Sequence, residues 1–350
     1  SRWPRWIPGR LRDRPGGWYG VLAHYAREMA ALVSSDGTAS TTVPPHFERL
    51  SQDPVLGPGE APWESVDVLS CDVLWDEGAQ LFRMWYTGFD GERYAIGYAE
   101  SRDGLHWERY PGNPVLASTD GEWDREGVGF PAVIRVGDRY YMYFTMLKRA
   151  RAHRDAALGL AISEDGLHWE RLEDPLLLPG AAGQYDARAL VSPEIFIDND
   201  GTWHLLYAGG RDFPGDPDGR WVILHATSSD GMSWQVEPEP VFRGGVVGLE
   251  DALNPEVLKL PSGNYWLAFA ARVEHSHFHL FLARSEDGLS WSLLSRGELL
   301  GRGAAGKFDE KALNHPALLL LEDRLYLFYT GYDRRNRRAI GLAVSPWGES

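Results

Sequence analysis

Five acidic residues recur at two matching positions of a repeated segment, and residues of this type can carry out acid–base chemistry together. The copies align on one anchor position, which holds Cys71, Pro131, Pro193, Pro255 and Pro316. The residue after the anchor is acidic in three copies, and the fifth residue before it is acidic in two. A pair of carboxyl groups in one pocket can act as general acid and general base. We therefore predict catalytic roles for Asp72, Glu126, Glu194, Glu250 and Glu256.

Polar and basic side chains occupy the same two positions in other copies of the repeat, or lie next to them. Side chains alternate between the two faces of a strand, so odd offsets from the anchor should face one channel. The second residue after the anchor is apolar in every copy and should pack between repeats. The predicted substrate contacts come from these columns and from the loops beside them: Arg188, Lys311, Ser192, Asn254, His315, Asp67, Asp251, Arg211 and Arg272.

The acids should differ in pKa according to their neighbours. Arg188 and Lys311 share the offset of Glu126 and Glu250, so a neighbouring cation should hold those two acids ionised. Glu194 and Glu256 come after the anchor, away from cations. Burial and mutual repulsion should raise the pKa of at least one of them, as a general acid near neutral pH requires.

A heptad with the pattern S-x-D-G-x-x-W shows which elements position these residues. It recurs about every 60 residues, at Ser101–Trp107, Ser163–Trp169, Ser228–Trp234 and Ser285–Trp291. Each repeat reads as four short strands joined by turns containing Gly, Asp or Asn. The sequence therefore predicts an all-β, five-bladed β-propeller with four antiparallel strands per blade. The heptads themselves should cap turns at the end of the molecule opposite the channel mouth.

The segment Phe47–Leu50 copies the outermost strand of the other repeats, while the last repeat lacks its own copy. We expect this N-terminal strand to close the last blade and so remove its open sheet edge. Residues 1–46 are then an irregular N-terminal arm, and residues 47–350 form a single five-bladed propeller domain.

Composition narrows the possible partners. The net charge of −15 argues against nucleic acid or an anionic membrane, and no apolar run approaches a membrane span. A single cysteine, Cys71, excludes an internal disulfide and favours the cytoplasm, with a secreted mature form as the alternative. His275, His277 and His279 alternate along one segment, but three neighbours on one strand rarely converge on a metal, so we predict no metal and no cofactor. The expected partner is a small molecule or an oligosaccharide, and the sequence does not define an oligomeric state.

Several motifs resemble those of the five-bladed propeller glycosidases, a superfamily that includes glycoside hydrolase family 43 and the invertase and levansucrase families. They are Arg83–Gly88 with Ile96–Ala99, Phe328–Gly331 with Ile340–Ala343, and Asn113–Leu116. The resemblance covers roughly residues 45–348 and implies a central pocket with a catalytic pair of carboxylates. It places those carboxylates just before the anchor, where this chain has Ser70, Phe130 and Ser192.

Three functions are therefore open. A glycoside hydrolase would use the channel acids on a carbohydrate or a glycosylated small molecule. A lyase, cyclase or dehydratase of a small metabolite would use the same acids with His315. A carbohydrate-binding propeller would need none of them.

Overall fold

The computed structural model describes residues 44–149, 154–211, 220–243, 245, 248–273, 276–294 and 297–347. Within these residues the chain is all-β, with one 3-10 turn at Pro62–Glu64. None of their helical segments is long and apolar enough to cross a membrane. Pro44–Glu349 form one compact unit. Most of the predicted arm lies outside the described residues.

The strands of the described residues fall into five groups of four, numbered here in chain order. Group 1 contains β2 (Asp67–Asp76), β3 (Leu81–Phe89), β4 (Tyr94–Ser101) and β5 (Glu108–Arg109). Group 2 contains β6 (Val128–Val136), β7 (Arg139–Arg149), β8 (Arg154–Ser163) and β9 (Glu170–Arg171). Group 3 contains β10 (Ala189–Ile197), β11 (Trp203–Gly210), β12 (Trp221–Ser228) and β13 (Gln235–Val236). Group 4 contains β14 (Glu250–Lys259), β15 (Tyr265–Arg272), β16 (Phe278–Ser285) and β17 (Ser292–Leu293). Group 5 contains β18 (Ala312–Leu321), β19 (Arg324–Tyr332), β20 (Arg338–Pro346) and β1 (Glu48–Arg49).

Each group is an antiparallel meander in which the first strand pairs with the second, the second with the third and the third with the short fourth. Groups 1, 4 and 5 are separate four-stranded sheets. Groups 2 and 3 join into one sheet through a parallel pairing of Ala189 with Ala156. First strands contact one another between consecutive groups, and β18 also contacts β2. The first strands, which carry the anchor residues, are therefore brought together in the middle of the molecule.

Strand β1 completes group 5, as the sequence predicts. Glu48 pairs with Val344 and Arg49 with Ala343, and the Arg49 guanidinium lies 2.7 Å from the buried Asp309 carboxylate. Groups 1 and 2 contain the same arrangement between an outer-strand arginine and a buried acid, at 3.0 Å for Arg109–Glu64 and 2.9 Å for Arg171–Asp124. This ion pair thus ties the fourth strand to its group, and the segment around Arg49 fills that position in group 5.

The hydrophobic core lies between consecutive groups. Trp85 and Tyr98 of group 1 pack with Met142 and Phe144 of group 2, and all four are buried. Equivalent clusters join groups 2 and 3, 3 and 4, and 4 and 5. A fifth joins group 5 to group 1, where Phe328 packs in the same cluster as the group 1 residues. The apolar second residues after the anchor are all buried in these interfaces, as expected: Val73, Val133, Ile195, Val257 and Leu318.

The heptads form hydrogen-bonded turns, which confirms their predicted capping role. The Ser163 hydroxyl accepts from the Gly166 N–H at 2.9 Å, and Asp165 Oδ1 accepts from the N–H groups of Leu167 and His168 at 2.8 Å. Gly166 has a φ of 79°, a conformation that glycine adopts without strain. The same serine and aspartate hydrogen bonds recur in the other three heptads. The heptad carboxylates are therefore occupied by their own turns.

Candidate active site

A β-bulge interrupts the first strand of every group at the residue just before the anchor. Each of these five residues has a positive φ, between 41° and 56°, and the pairing with the second strand shifts register there. Positive φ at residues other than glycine costs free energy and concentrates at functional sites. The bulge residues are Ser70, Phe130, Ser192, Asn254 and His315.

Neighbouring groups hold these bulges in place. The N–H groups of Phe130 and Ser192 donate to the Thr87 and Thr145 hydroxyls of the preceding group, at 2.8 and 2.9 Å. The Ser70 N–H donates in the same way to Thr330 of group 5 at 2.9 Å. The backbone at the centre is therefore positioned by contacts between groups.

A row of neutral hydrogen-bonding groups connects the bulges of groups 3 to 5. The Ser192 hydroxyl donates to Asn254 Oδ1, and Asn254 Nδ2 donates to Asn314 Oδ1, both at 2.6 Å. The His315 ring stacks on Phe130 with centroids 5.3 Å apart, and its Nδ1 is buried without a hydrogen-bond partner among the described residues. Burial, with a smaller contribution from the Arg338 charge, lowers the pKa of His315 to about 3. The imidazole is therefore neutral at ordinary pH.

The three acids that follow the anchor lie below this row and are all buried. One oxygen of each accepts a hydrogen bond from the first strand of the next group: Asp72 from the Val133 N–H at 2.5 Å, Glu194 from Val257 at 3.0 Å and Glu256 from Leu318 at 2.9 Å. These contacts give the three acids a structural role between groups.

Burial also sets the protonation of the same acids. It raises the pKa of Asp72 to about 6. Burial, and then the charge of Asp72, raises the pKa of Glu194 well above its usual range. Burial, and then the charges of Glu194 and Asp72, does the same for Glu256. The direction agrees with the expectation for Glu194 and Glu256, and it favours the neutral, protonated form of both carboxyl groups.

Two adjoining spaces lie among the first strands of the five groups. The upper cavity has a volume of about 210 Å³, and the acidic recess below it has about 20 Å³, enough for one water molecule. Glu194 and Glu256 line the recess. Four residues line both spaces and so lie between them: Phe130, Ser192, Asn254 and His315.

Asp67 and Asp251 lie at the edge of the upper cavity, where each is held by an arginine and by backbone. Asp67 accepts from Arg338 Nη2 at 2.7 Å and from the Arg338 N–H at 2.7 Å. Asp251 accepts from Arg272 Nε at 2.8 Å and from the N–H groups of Arg220 and Trp221 at 2.6 and 3.1 Å. Both acids thus secure the third strand of the preceding group.

The other predicted residues lie at the level of the strand entries. The N–H groups of Glu126, Arg188 and Lys311 donate to carbonyls at the ends of the second strands, and Glu250 pairs with Arg272. None of these four lines the upper cavity as the described residues define it. The Lys311 ammonium donates to Asn336, and the Arg211 guanidinium lies over the Tyr185 ring at 4.0 Å. Their catalytic and substrate-binding roles stay predictions.

The bulge explains this placement. An extra residue reverses the side-chain alternation of a strand, so even offsets face inward above the bulge. Leu69, Val191, Leu253 and Asn314, two residues before the anchor, line the upper cavity, and so does Ala189, four residues before it. Asp67 and Asp251, two of the predicted substrate contacts, share the offset of Ala189.

Sequence reasoning missed a second column, on the third strands. The residue seven positions before the heptad serine, or before Ser345 in the last repeat, lines the upper cavity in every group: Tyr94, Ala156, Trp221, Phe278 and Arg338. The heptad spacing was the signal that could have identified this column. Arg338 is its charged member.

The described part of the histidine segment is not arranged as a group of metal ligands. His279 bonds to Glu298, with 2.6 Å between Nδ1 and Oε2, and His275 lies outside the described residues. No cluster of histidine, cysteine, aspartate or glutamate within the described ranges is arranged to hold a metal ion.

Comparison with known proteins identifies the family. The profile for the Glycosyl hydrolases family 32 N-terminal domain matches residues 131–308, half of the chain. The chain belongs to this family. Its place within the propeller glycoside hydrolase superfamily, which the sequence motifs indicated, is thereby confirmed.

Other relatives of this family 32 chain include phosphorylases. Uncharacterized protein Rv1502 of Mycobacterium tuberculosis is 27% identical over 293 residues, which cover 82% of this chain and 95% of that protein. A 1,2-beta-oligomannan phosphorylase of Thermoanaerobacter sp. is 32% identical over 134 residues, covering 36% of this chain and 44% of that enzyme. A solved structure from a study of mannoside phosphorylases and hydrolases of the GH130 family superposes with a TM-score of 0.68 at 17% identity, covering 88% of this chain and 95% of that one, which shows the fold. The protein is thus a carbohydrate-active enzyme of propeller-like fold.

Proposed function

We propose that the protein cleaves a glycosidic bond of a carbohydrate or glycosylated small molecule bound in the upper cavity. The observation that carries the proposal is that this cavity adjoins the acidic recess, with which it shares four lining residues and where Glu194 and Glu256 have raised pKa values. A protonated carboxyl group below a sugar-sized cavity can supply the leaving oxygen with a proton, directly or through one water.

The residues of the cavity have distinct roles in this proposal. The aromatic rings of Trp221, Phe278 and Tyr94 face the space in which a sugar ring would lie. The amide row around Asn254 accepts and donates hydrogen bonds to hydroxyl groups. Glu194 or Glu256 is the general acid, and its partner carboxylate comes from Asp72 or from the strand-entry acids Glu126 and Glu250. The two oxygens bound to backbone N–H groups fix the orientation of Glu194 and Glu256.

The acceptor of the sugar is either water or inorganic phosphate. Phosphorolysis is suggested by the phosphorylases among the relatives and by the Arg338 guanidinium, which lines the cavity. The test is a panel of aryl and oligosaccharide substrates, including β-1,2-mannosides and β-fructofuranosides, incubated with and without inorganic phosphate. Turnover without phosphate supports hydrolysis, and turnover that depends on phosphate supports phosphorolysis. Absence of turnover on every substrate under both conditions would contradict the proposal.

A second candidate is carbohydrate binding without catalysis. It is favoured by the lining of the upper cavity, which contains no carboxylate among the described residues. A sugar that binds in calorimetry, is not turned over, and still binds to Glu194→Gln would support this alternative.

The proposed architecture is a propeller of five blades closed by β1. Three contacts support it: the Arg49–Asp309 ion pair, the bond from the Ser70 N–H to Thr330 and the packing of β18 beside β2. Deletion of residues 1–56 should then expose the edge of β20 and yield insoluble protein. A soluble variant with the parent's melting curve would contradict closure by β1.

A further inference from the structure

We propose that the enclosed part of the substrate is a deoxy sugar, whose hydroxyl-free edge lies against one side of the upper cavity. This inference rests on the proposed function and adds the class of sugar. It follows from the division of the cavity into an apolar side and a polar side.

The apolar side comes mainly from groups 2 and 3. Leu147, Ala156 and Ala189 form a small buried cluster of their own, with Tyr94, Phe130, Val191 and Trp221 packed against it. All seven line the upper cavity. Five of them have no side-chain hydrogen-bond donor or acceptor, and the polar groups on this side are limited to the Tyr94 hydroxyl, the Trp221 indole N–H and the neighbouring Ser192 hydroxyl among the described residues, so this side offers a ligand mainly apolar contact.

The polar side comes from groups 4 and 5. Asn254, Asn314, His315, Tyr332 and Arg338 line the cavity there. The buried Nδ1 of His315 has no hydrogen-bond partner in the part of the chain that the structure describes, and the cavity is the space that the ring adjoins. Hydroxyl groups of a sugar are therefore satisfied mainly on this side.

The size of the cavity limits what it encloses. A closed apolar cavity of about 150 Å³ accommodates benzene, so about 210 Å³ accommodates one six-membered ring with a small substituent. An ordinary hexose carries hydroxyl groups around its whole edge, and some of them would face the apolar side. A hydroxyl that loses water without gaining a partner costs about tenfold or more in affinity. A methyl group at the same place gains apolar contact instead.

The test compares methyl glycosides in matched pairs that differ only in the hydroxyl at carbon 6. Suitable pairs are rhamnose and mannose, fucose and galactose, and 6-deoxyglucose and glucose, each in both the D and the L series. Binding to the full chain is measured by isothermal titration calorimetry, so that no assumption about turnover enters. At least one deoxy sugar should bind about tenfold or more tightly than its hydroxylated partner.

Val191→Thr tests the assigned side, because it replaces a methyl group on the cavity wall with a hydroxyl at nearly constant volume. The preference for the deoxy sugar should fall several-fold. Val136→Thr is the matched control, since Val136 is exposed at the end of β6 and does not line the cavity. It should leave the preference unchanged.

Two results would overturn the inference. One is equal or tighter binding of the hydroxylated partner in every pair that binds, and the other is no binding of any pair at millimolar concentration. Turnover in the broad glycoside panel would still support the proposed function in either case, so the two ideas fail separately. An unchanged preference for the deoxy sugar in Val191→Thr would show that its hydroxyl-free edge does not lie against the apolar side.

Discussion

The heptad turns and the central first strands use the same acidic residue types with opposite results. Partial burial opposes ionisation of Asp165, but hydrogen bonds from the backbone N–H and ring of His168 and from the Leu167 N–H lower its pKa below the usual range. Glu194 is fully buried, accepts one N–H from the next group and faces other acids, so its pKa rises. The turns repeat almost without variation, whereas the central residues keep their backbone geometry and change in type from group to group. In this repeat protein, the heptad positions, which are the same from group to group, stabilise the fold. The positions of the first strands that differ from group to group form the candidate site.

The largest expected effect concerns the charge pair at the cavity edge. Arg338→Leu leaves the buried Asp67 carboxylate without its guanidinium, so the free energy of unfolding should fall by about 3–5 kcal/mol. Arg334→Leu is the control in the same group, because the exposed Arg334 pairs with Glu310 and such pairs contribute about 0–1 kcal/mol. Urea unfolding measures both variants. Equal losses would show that the central pair is no more important than a surface pair.

The pH dependence of stability should separate the central acids from the heptads. The pKa of Asp72 is about 6 in the folded protein, above its unfolded value near 3.8. As the pH rises, the folded state therefore keeps this proton to a higher pH than the unfolded state does. The stabilising effect of the protonated Asp72 carboxyl is complete below about pH 4 and is lost as the pH rises through about 6. Relative to Asp72→Asn, the parent should lose on the order of 3 kcal/mol across this range. His225, whose pKa burial lowers to about 4, titrates in both proteins and cancels in the difference. A difference that is flat with pH would contradict the assignment.

Turnover should distinguish the same two regions. Glu194→Gln retains an oxygen that can accept from the Val257 N–H but cannot deliver a proton, so turnover should fall about a hundredfold or more. Glu126→Gln tests the predicted base in the same assay. Glu164→Gln, an exposed change within a heptad, is the control and should retain full turnover. If Glu194→Gln and Glu126→Gln both stay within a few-fold of the parent, these two acids are not catalytic.

The smallest effect is expected in a heptad. Asp165→Ala removes the acceptor of two backbone N–H groups, which should cost about 1 kcal/mol and lower the melting temperature by about 1–2 °C. Turnover per folded molecule should not change, because the turn lies in none of the central spaces. Lost activity at unchanged stability would assign a functional role to the heptads.

Much of the fold could be predicted from the sequence because it repeats. The heptads fixed the length of the repeat, and the copy of the outer strand around Arg49 predicted its pairing with β20. The central acids could also be found, since charge at an inward position of a buried strand has few structural reasons. The inward column above the anchor could not be read correctly, because alternation was assumed to continue through Ser192 and its equivalents. A bulge with positive φ at a serine, a phenylalanine or a histidine has no sequence signature, and it reverses the faces of everything upstream.

The two strands of the β1–β20 pair are synthesised at widely separated times. Glu48–Arg49 precede the other four groups in the chain, and Arg338–Pro346 follow them. At a synthesis rate of about 5–20 residues per second, roughly 15–60 seconds separate these two segments on the ribosome. The first four groups can assemble during that interval, while the buried partner of Arg49, Asp309, has not yet been made for most of it. Among the described strands, β1 therefore waits longest for its partner, and during that interval its edge is open to other chains.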